Sequence, residues 1–443
     1  MINKIDLTKG KVSSVLLKLA IPIMGSSLLQ FTYNLVDMIW IGGMGSDAVA
    51  SIGSSSFFLG LGYSINSLVV IGTGIKVAHS IGKKDYEEVQ KYINSGILLN
   101  TIIGIIYGLI LILFGRNFIG FLNLNNRNVE SGAYLYILVS VPMLFFAFFN
   151  LLYTRIFNSY GNNKMALKLN AIGIVVNIVL DPIFIYGFKL GILGASFASL
   201  VANMTIFIIF LVKARGILKY DKTYKVDYVK IKEIINLGFP MAFQRILFTI
   251  VNIILAKIIA IFGSDAIAAQ KIGLQIESIS FMVIGGLNGA ISSFTGQNFG
   301  AKKFDRIIEG YRTALKIGLV YSIITAILFI FIPEILVIPF IREKETMNLA
   351  IGYLKILAFS QIFSTIEIVS NGLFTGIGKP KIPAGISIIF TISRIPMALL
   401  FIKFIGLNGI WISITLSSIL KGICAYIIYR FTVWREYVNV RIS

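Results

Sequence analysis

Twelve apolar stretches run along this chain, from roughly residues 14–41 to 408–430, and each is long enough to cross a lipid bilayer as a helix. A hydrocarbon core about 30 Å thick needs about 20 residues at 1.5 Å each. In lipid every backbone polar group must be satisfied internally, so stretches of this length must be helical. Composition points the same way: 56% of the residues are hydrophobic and only 14% charged, against roughly 25% charged in soluble chains. Mean hydropathy is +0.85. The 41 glycines suit helices that pack closely in a membrane. The polar start MINKIDLTKGKVSS runs straight into the first stretch, so a cleavable signal peptide is not expected. The expected fold is an all-α, multi-pass membrane protein with twelve transmembrane helices and the lipid bilayer as its surroundings.

The net charge of +20 reports topology. Alternate loops collect 25 lysines and arginines, among them Lys4, Lys83, Lys84, Arg215, Lys219, Lys222, Lys225, Lys302, Lys303 and Arg441. The opposite loops hold six: Arg116, Arg127, Lys189, Arg342, Lys344 and Lys403. By the positive-inside rule both termini are cytoplasmic, which places the chain in the plasma (inner) membrane and leaves no nucleic acid for the charge to bind.

The chain also repeats itself. Pro22, Gly45 of GSDAVA and Gly82 of IGKKD recur 218 residues later as Pro240, Gly263 of GSDAIA and Gly300 of FGAKKFD. Six spans precede the join and six follow, so both halves start on the same side and are related by a pseudo-two-fold axis along the membrane normal. We expect an N-lobe over 1–212, a basic cytoplasmic linker over 213–233 and a C-lobe over 234–443. Two like lobes that expose a shared site to either side describe a transporter.

Polar groups inside the spans are costly, so each needs a reason. Gln30, Asn34 and Asp37 share one face of the first span. Asn170, Asn177 and Asp181 share a face of the fifth, and Ser196, Ser199 and Asn203 a face of the sixth. Asp37 and Asp181 lie at similar depth, roughly 6–9 Å inside. Two carboxylates with amide and hydroxyl oxygens nearby suit Na⁺ or a shared proton. The Ser and Asn residues serve equally well as hydrogen bonds between helices. The second half is differently charged, with Gln244 and Arg245 on the seventh span, Glu277 on the eighth, Glu367 on the tenth and Arg394 on the eleventh. Ser387, Thr391 and Arg394 fall on one face. Buried ion pairs are the plainer reading of this set; lining a substrate cavity is the other.

Together these residues resemble the multidrug and toxin extrusion (MATE) family, within the multidrug/oligosaccharidyl-lipid/polysaccharide flippase superfamily. The resemblance spans roughly 12–431. It rests on Pro22 with Gln30, Tyr33, Asn34 and Asp37, on GSDAVASIG, on NxxxDPIFIYG at 177–187, and on IESISFM leading to TGQNFGAKKFDR at 295–306. It implies a cation-coupled exporter with Asp37 and Asp181 as coupling residues and Asn177, Tyr136 and Ser199 beside them. Asp37, Asp181 and Asn177 would be the ligands of a coupling Na⁺. Gln30, Tyr33, Asn34, Asn203, Gln244, Glu277, Glu367 and Arg394 are the candidate cavity residues. An acid is absent from the seventh span and Glu367 lies about one turn past the expected place, so the chain looks closer to the DinF-like branch than to the NorM-like one.

Enzymatic readings fail on residues. HExxH and G-x-S-x-G are absent, and the G-x-G pairs are incomplete. The single His79 reads as a solvated loop residue, and the single Cys424 forms no disulfide framework. No cofactor is implied beyond a coupling ion, H⁺ or Na⁺. The expected activity is a monomeric antiporter that exports small amphipathic, cationic organic compounds, with a lipid-linked oligosaccharide or polysaccharide flippase as the alternative.

Overall fold

The computed structural model describes residues 6–122, 124, 126–213, 218, 223–224 and 226–435, which form helices and no strands. The first half contains α1 (Val12–Gly42), α2 (Ser46–Lys83), α3 (Tyr86–Phe121), α4 (Arg127–Ser159), α5 (Asn163–Pro182) and α6 (Ile192–Lys213). The second half contains α7 (Tyr228–Ile259), α8 (Ser264–Gly300), α9 (Phe304–Phe331), the short α10 (Pro333–Val337), α11 (Lys344–Ala358), α12 (Gln361–Gly376), α13 (Lys381–Ile392), α14 (Arg394–Ile405) and α15 (Leu407–Ile428). Among the described residues eleven helical segments are long and apolar enough to cross a membrane, and a twelfth is the pair α11 and α12, bent by 58°. That bend falls at Phe359–Ser360, where the Ser360 hydroxyl donates to the Leu357 carbonyl, 2.8 Å away, in competition with the helical ladder. Of the linker, 214–217, 219–222 and 225 lie outside the described residues, as do Lys4 and Arg441. His79 is not in a loop: it lies inside α2 and is half-buried.

The repeat is visible in local geometry. Gly45 and Gly263 precede α2 and α8 with φ, ψ of 97°, 173° and 98°, 174°. A side chain at either position would be strained, which explains why glycine occupies both. Lys84 and Lys302 end those helices with φ of 61° and 57°. In the first turns, Asp47 accepts from Asn126 at 3.4 Å and Asp265 from Thr346 at 2.5 Å. Acids placed there also favour the helix dipole.

The chain forms two compact units, and the division falls inside α1 and α7. One unit comprises Gly25–Ala242 with Asp6, and the other Leu7–Met24 with the chain from Phe243 onward. Each switch comes two residues after a proline, Pro22 or Pro240, and the two exchange points are again 218 residues apart. In the first unit the start of α7 is held by side chains. Lys230 donates to Glu88 and to Tyr92, both at 3.1 Å, Tyr92 donates to Glu233, and Lys76 pairs with Glu233 at 3.1 Å. In the second unit the segment before α1 is held through its backbone. Arg306 donates to the carbonyls of Leu7, Lys9 and Gly10, and Asn298 to that of Leu7. Each unit has its own apolar core, around Phe148, Phe157 and Phe210 in the first and around Phe294, Tyr353 and Trp411 in the second. Elsewhere large apolar side chains face outward, as Ile105, Ile106, Leu109 and Leu113 do along α3. A stripe of that kind is stable against acyl chains and not against water.

Candidate functional site

Asp181 anchors the candidate site in the first unit. It sits at the end of α5, where Pro182 lacks the N–H that would continue the ladder, and the chain passes into a π-helical turn, Ile183–Gly187. Such a turn re-aims side chains and recurs at functional sites. Asp181 is fully buried, and its Oδ1 accepts from Asn177 Nδ2 at 3.1 Å, one turn earlier. Its Oδ2 is buried too and has no hydrogen-bond partner among the described residues. A carboxylate oxygen in that state is costly unless a proton or a cation joins it.

Asp37, half-buried on α1, acts electrostatically on Asp181. Both carboxylates act on the hydroxyls of Tyr33 and Tyr136. The Tyr33 and Ser199 hydroxyls share a hydrogen bond of 3.4 Å. The structure thus brings Asp37, Asp181, Asn177, Tyr33, Tyr136 and Ser199 together. Asn203 is occupied otherwise: it donates to the Ser199 carbonyl at 2.9 Å and accepts from Asn150, tying α6 to α4. Gln30 donates to Asn34 at 3.3 Å along α1, and this pair is exposed. Ser140, bonded to Ser196 at 2.9 Å and buried, was not singled out from the sequence. No group of three or more His, Cys, Asp or Glu residues that could hold a metal ion occurs among the described residues. A cation here would depend on two carboxylates and neutral oxygens.

The remaining candidates belong to the second unit. Gln244 donates to Ser387 at 2.9 Å, and Glu277 accepts from Tyr353 at 3.5 Å. Arg394 donates to Ser417 at 3.0 Å and Ser418 at 3.3 Å. Glu277, Glu367, Arg245 and Arg394 form no ion pair with one another within 4.0 Å, but Glu367 and Glu277 act electrostatically on Arg394 from farther away. The helical face of Ser387, Thr391 and Arg394 is interrupted, because α13 stops at Ile392 and α14 begins at Arg394. Pro396 cannot donate to the Ile392 carbonyl, which accounts for the break. Lys421 of α15, buried beside Thr391 and Ser387, is a further member that the sequence reading passed over. The signal was a single lysine within an apolar span.

The MatE family profile matches residues 22–183 and 240–400, one match in each half and together most of the chain. The chain belongs to the MatE family. Curated relatives of this MatE protein include "Probable multidrug resistance protein NorM" of Thermotoga maritima, 24% identical over 447 residues that cover 96% of this chain and 94% of that protein. "Probable multidrug resistance protein YoeA" of Bacillus subtilis is 26% identical, covering 94% and 93%. Among solved structures, an outward-facing multidrug resistance MATE family transporter of the MOP superfamily aligns with a TM-score of 0.91 at 22% identity, covering 98% of both chains. A MATE in the bent conformation aligns at 0.92, also at 22%, covering 100% and 99%. A MOP superfamily transporter from Pyrococcus furiosus, described as having reversed binding-pocket polarity, aligns at 0.90 over 97% and 98%. The twelve-span transporter fold is shared, and these relatives are transporters and not enzymes.

Proposed function

We propose that this MatE protein is a secondary antiporter that exports small amphipathic, cationic organic compounds in exchange for H⁺ or Na⁺, and that Asp181 and Asp37 bind the coupling ion. The observation that carries the reading is the buried, unpartnered Asp181 Oδ2 beside a second carboxylate. A site of that kind changes its energy sharply with occupancy. An ion drives a conformational equilibrium only through its differential affinity for the two states. The relatives' printed names, multidrug resistance and multidrug export proteins, support export of organic compounds. Asn177 is the nearest neutral ligand, with Tyr33, Tyr136 and Ser199 completing the surroundings.

The protein works as a monomer in the plasma membrane with both termini in the cytoplasm, and the basic segment 213–233, whose end begins α7, is the cytoplasmic linker between the two halves of the sequence repeat. The supporting argument is the excess of cations in alternate loops. Efflux of a fluorescent cationic dye from proteoliposomes, under Na⁺ and H⁺ gradients imposed separately, tests this reading. Acceleration by one gradient supports it. Dye movement indifferent to both would contradict it.

A further inference from the structure

Arg394 and Lys421 pose a problem that the coupling site does not address. Both are buried, 6% and 3% exposed, and both lie against one aromatic ring, with Phe248 at 5.8 Å and 5.9 Å from the two charges. The two like charges repel each other. Their short-range partners are all neutral: Ser417 and Ser418 for Arg394, Thr391 at 2.8 Å and Ser387 at 3.4 Å for Lys421. Among the described residues no carboxylate comes within 4.0 Å of either. Glu367 acts on both from farther away, and Glu277 on Arg394.

A structural cation in an apolar span is expected to touch a carboxylate, because hydroxyls do not neutralise it. Here the hydroxyls do something else. Ser387 Oγ accepts from both Lys421 and Gln244, which uses its two lone pairs and leaves its own proton to donate outward. Ser417 spends its proton on the Phe390 carbonyl at 2.7 Å, but Thr391 and Ser418 have no such acceptor among the described residues. Apart from Gln244 Oε1, which is buried with no hydrogen-bond partner among the described residues, the hydrogen-bonding groups left over beside the two positive charges are donors. The cluster also sits at the interruption of the α13–α14 span, and irregular backbone at membrane depth occurs where a span lines a cavity or is buried in protein.

We propose that Arg394 and Lys421, with the hydroxyls of Ser387, Thr391 and Ser418, bind the carboxylate of a zwitterionic amphipathic compound. The planar guanidinium and the ammonium are both strong carboxylate donors. Glu367 and Glu277 make the neighbourhood neutral in sum, so a ligand bringing a cation with its carboxylate fits better than a lone anion. The site deepens the export reading by naming a substrate class, and rests on it for that class being cargo. Binding can be measured without transport, so the two can fail separately.

The test uses the full-length protein in nanodiscs and two probes, a rhodamine with a free carboxylate and the methyl ester of the same dye, followed by fluorescence anisotropy. Lys421→Met should weaken binding of the free acid by about tenfold or more, the loss of a charge-assisted bond, and leave the ester nearly unchanged. If that variant does not purify as a single folded species, Thr391→Val carries the same test and should also weaken the acid selectively. Equal loss for both dyes, no loss for either, or no binding of the acid to the wild type would overturn the site. Should the ester still bind in that last case, the export reading would stand without it.

Discussion

Leu68 of α2 and Gly238 of α7 cross so closely that a Cβ on Gly238 would lie 1.8 Å from the Leu68 carbonyl oxygen. The repeat-related pair is Gly286 of α8 and Ala20 of α1, with the glycine on the other helix, and there the corresponding distance to the Ala20 carbonyl is 3.2 Å. Each exchanged half-helix thus docks on its unit through a close crossing at a glycine, tightest against backbone at Gly238. Overpacking such a crossing costs about 1–3 kcal/mol or more. Gly238→Ala should lower the thermal unfolding midpoint in detergent. Gly286→Ala should lower it less, because its tightest neighbour is the flexible Met24 Cγ at 2.3 Å. Equal effects would contradict this packing.

The start of α7 is also held by charge. Lys230 reaches Glu88 and Tyr92, and its side chain is 18% exposed. A pair so placed is partly shielded from solvent, so Lys230→Met should destabilise by about 1 kcal/mol at low salt. The difference should shrink in 0.5 M salt, roughly, as ions screen what solvent can reach. A thermal melt of both proteins across a salt series checks it; a difference independent of salt would assign Lys230 to packing alone.

Asn177 discriminates between the coupling ions. For Na⁺ it supplies an oxygen ligand, and Asn177→Ala should raise the Na⁺ concentration for half-maximal efflux by about tenfold or more. For a proton the loss is one hydrogen bond to Asp181, worth about 1 kcal/mol. Efflux in Na⁺-free buffer by wild type and variant separates the cases: robust Na⁺-free transport that survives the substitution would exclude a sodium mechanism.

Much of this was legible in the sequence, for physical reasons that differ by residue. Gly45 and Gly263 marked the repeat in the sequence, but that both stand at helix starts with φ near 97°, where a side chain is strained, came from the structure. Asp37 and Asp181 stood out because a carboxylate in an apolar span is expensive wherever it sits. The exchange of half-helices at Pro22 and Pro240 was not legible: the prolines were, but which partner a half-helix chooses depends on contacts such as Gly238 with Leu68 and Arg306 with the Leu7 carbonyl, hundreds of residues apart. The break at Ser393 was within reach, since Pro396 forbids the next hydrogen bond. Lys421 escaped because a single lysine in a span looks like one that snorkels to the surface.

The central claim is that occupancy of the Asp181 carboxylate by the coupling ion powers export, and the most direct measurement is gradient-driven dye efflux by Asp181→Asn in proteoliposomes beside wild type and Glu367→Gln. Removing a buried charge lowers the insertion cost, so Asp181→Asn should fold and insert normally. The account predicts that its efflux falls to the level of protein-free liposomes, while Glu367→Gln, in the other unit, loses less. Wild-type efflux by Asp181→Asn, or greater loss in Glu367→Gln, would contradict it.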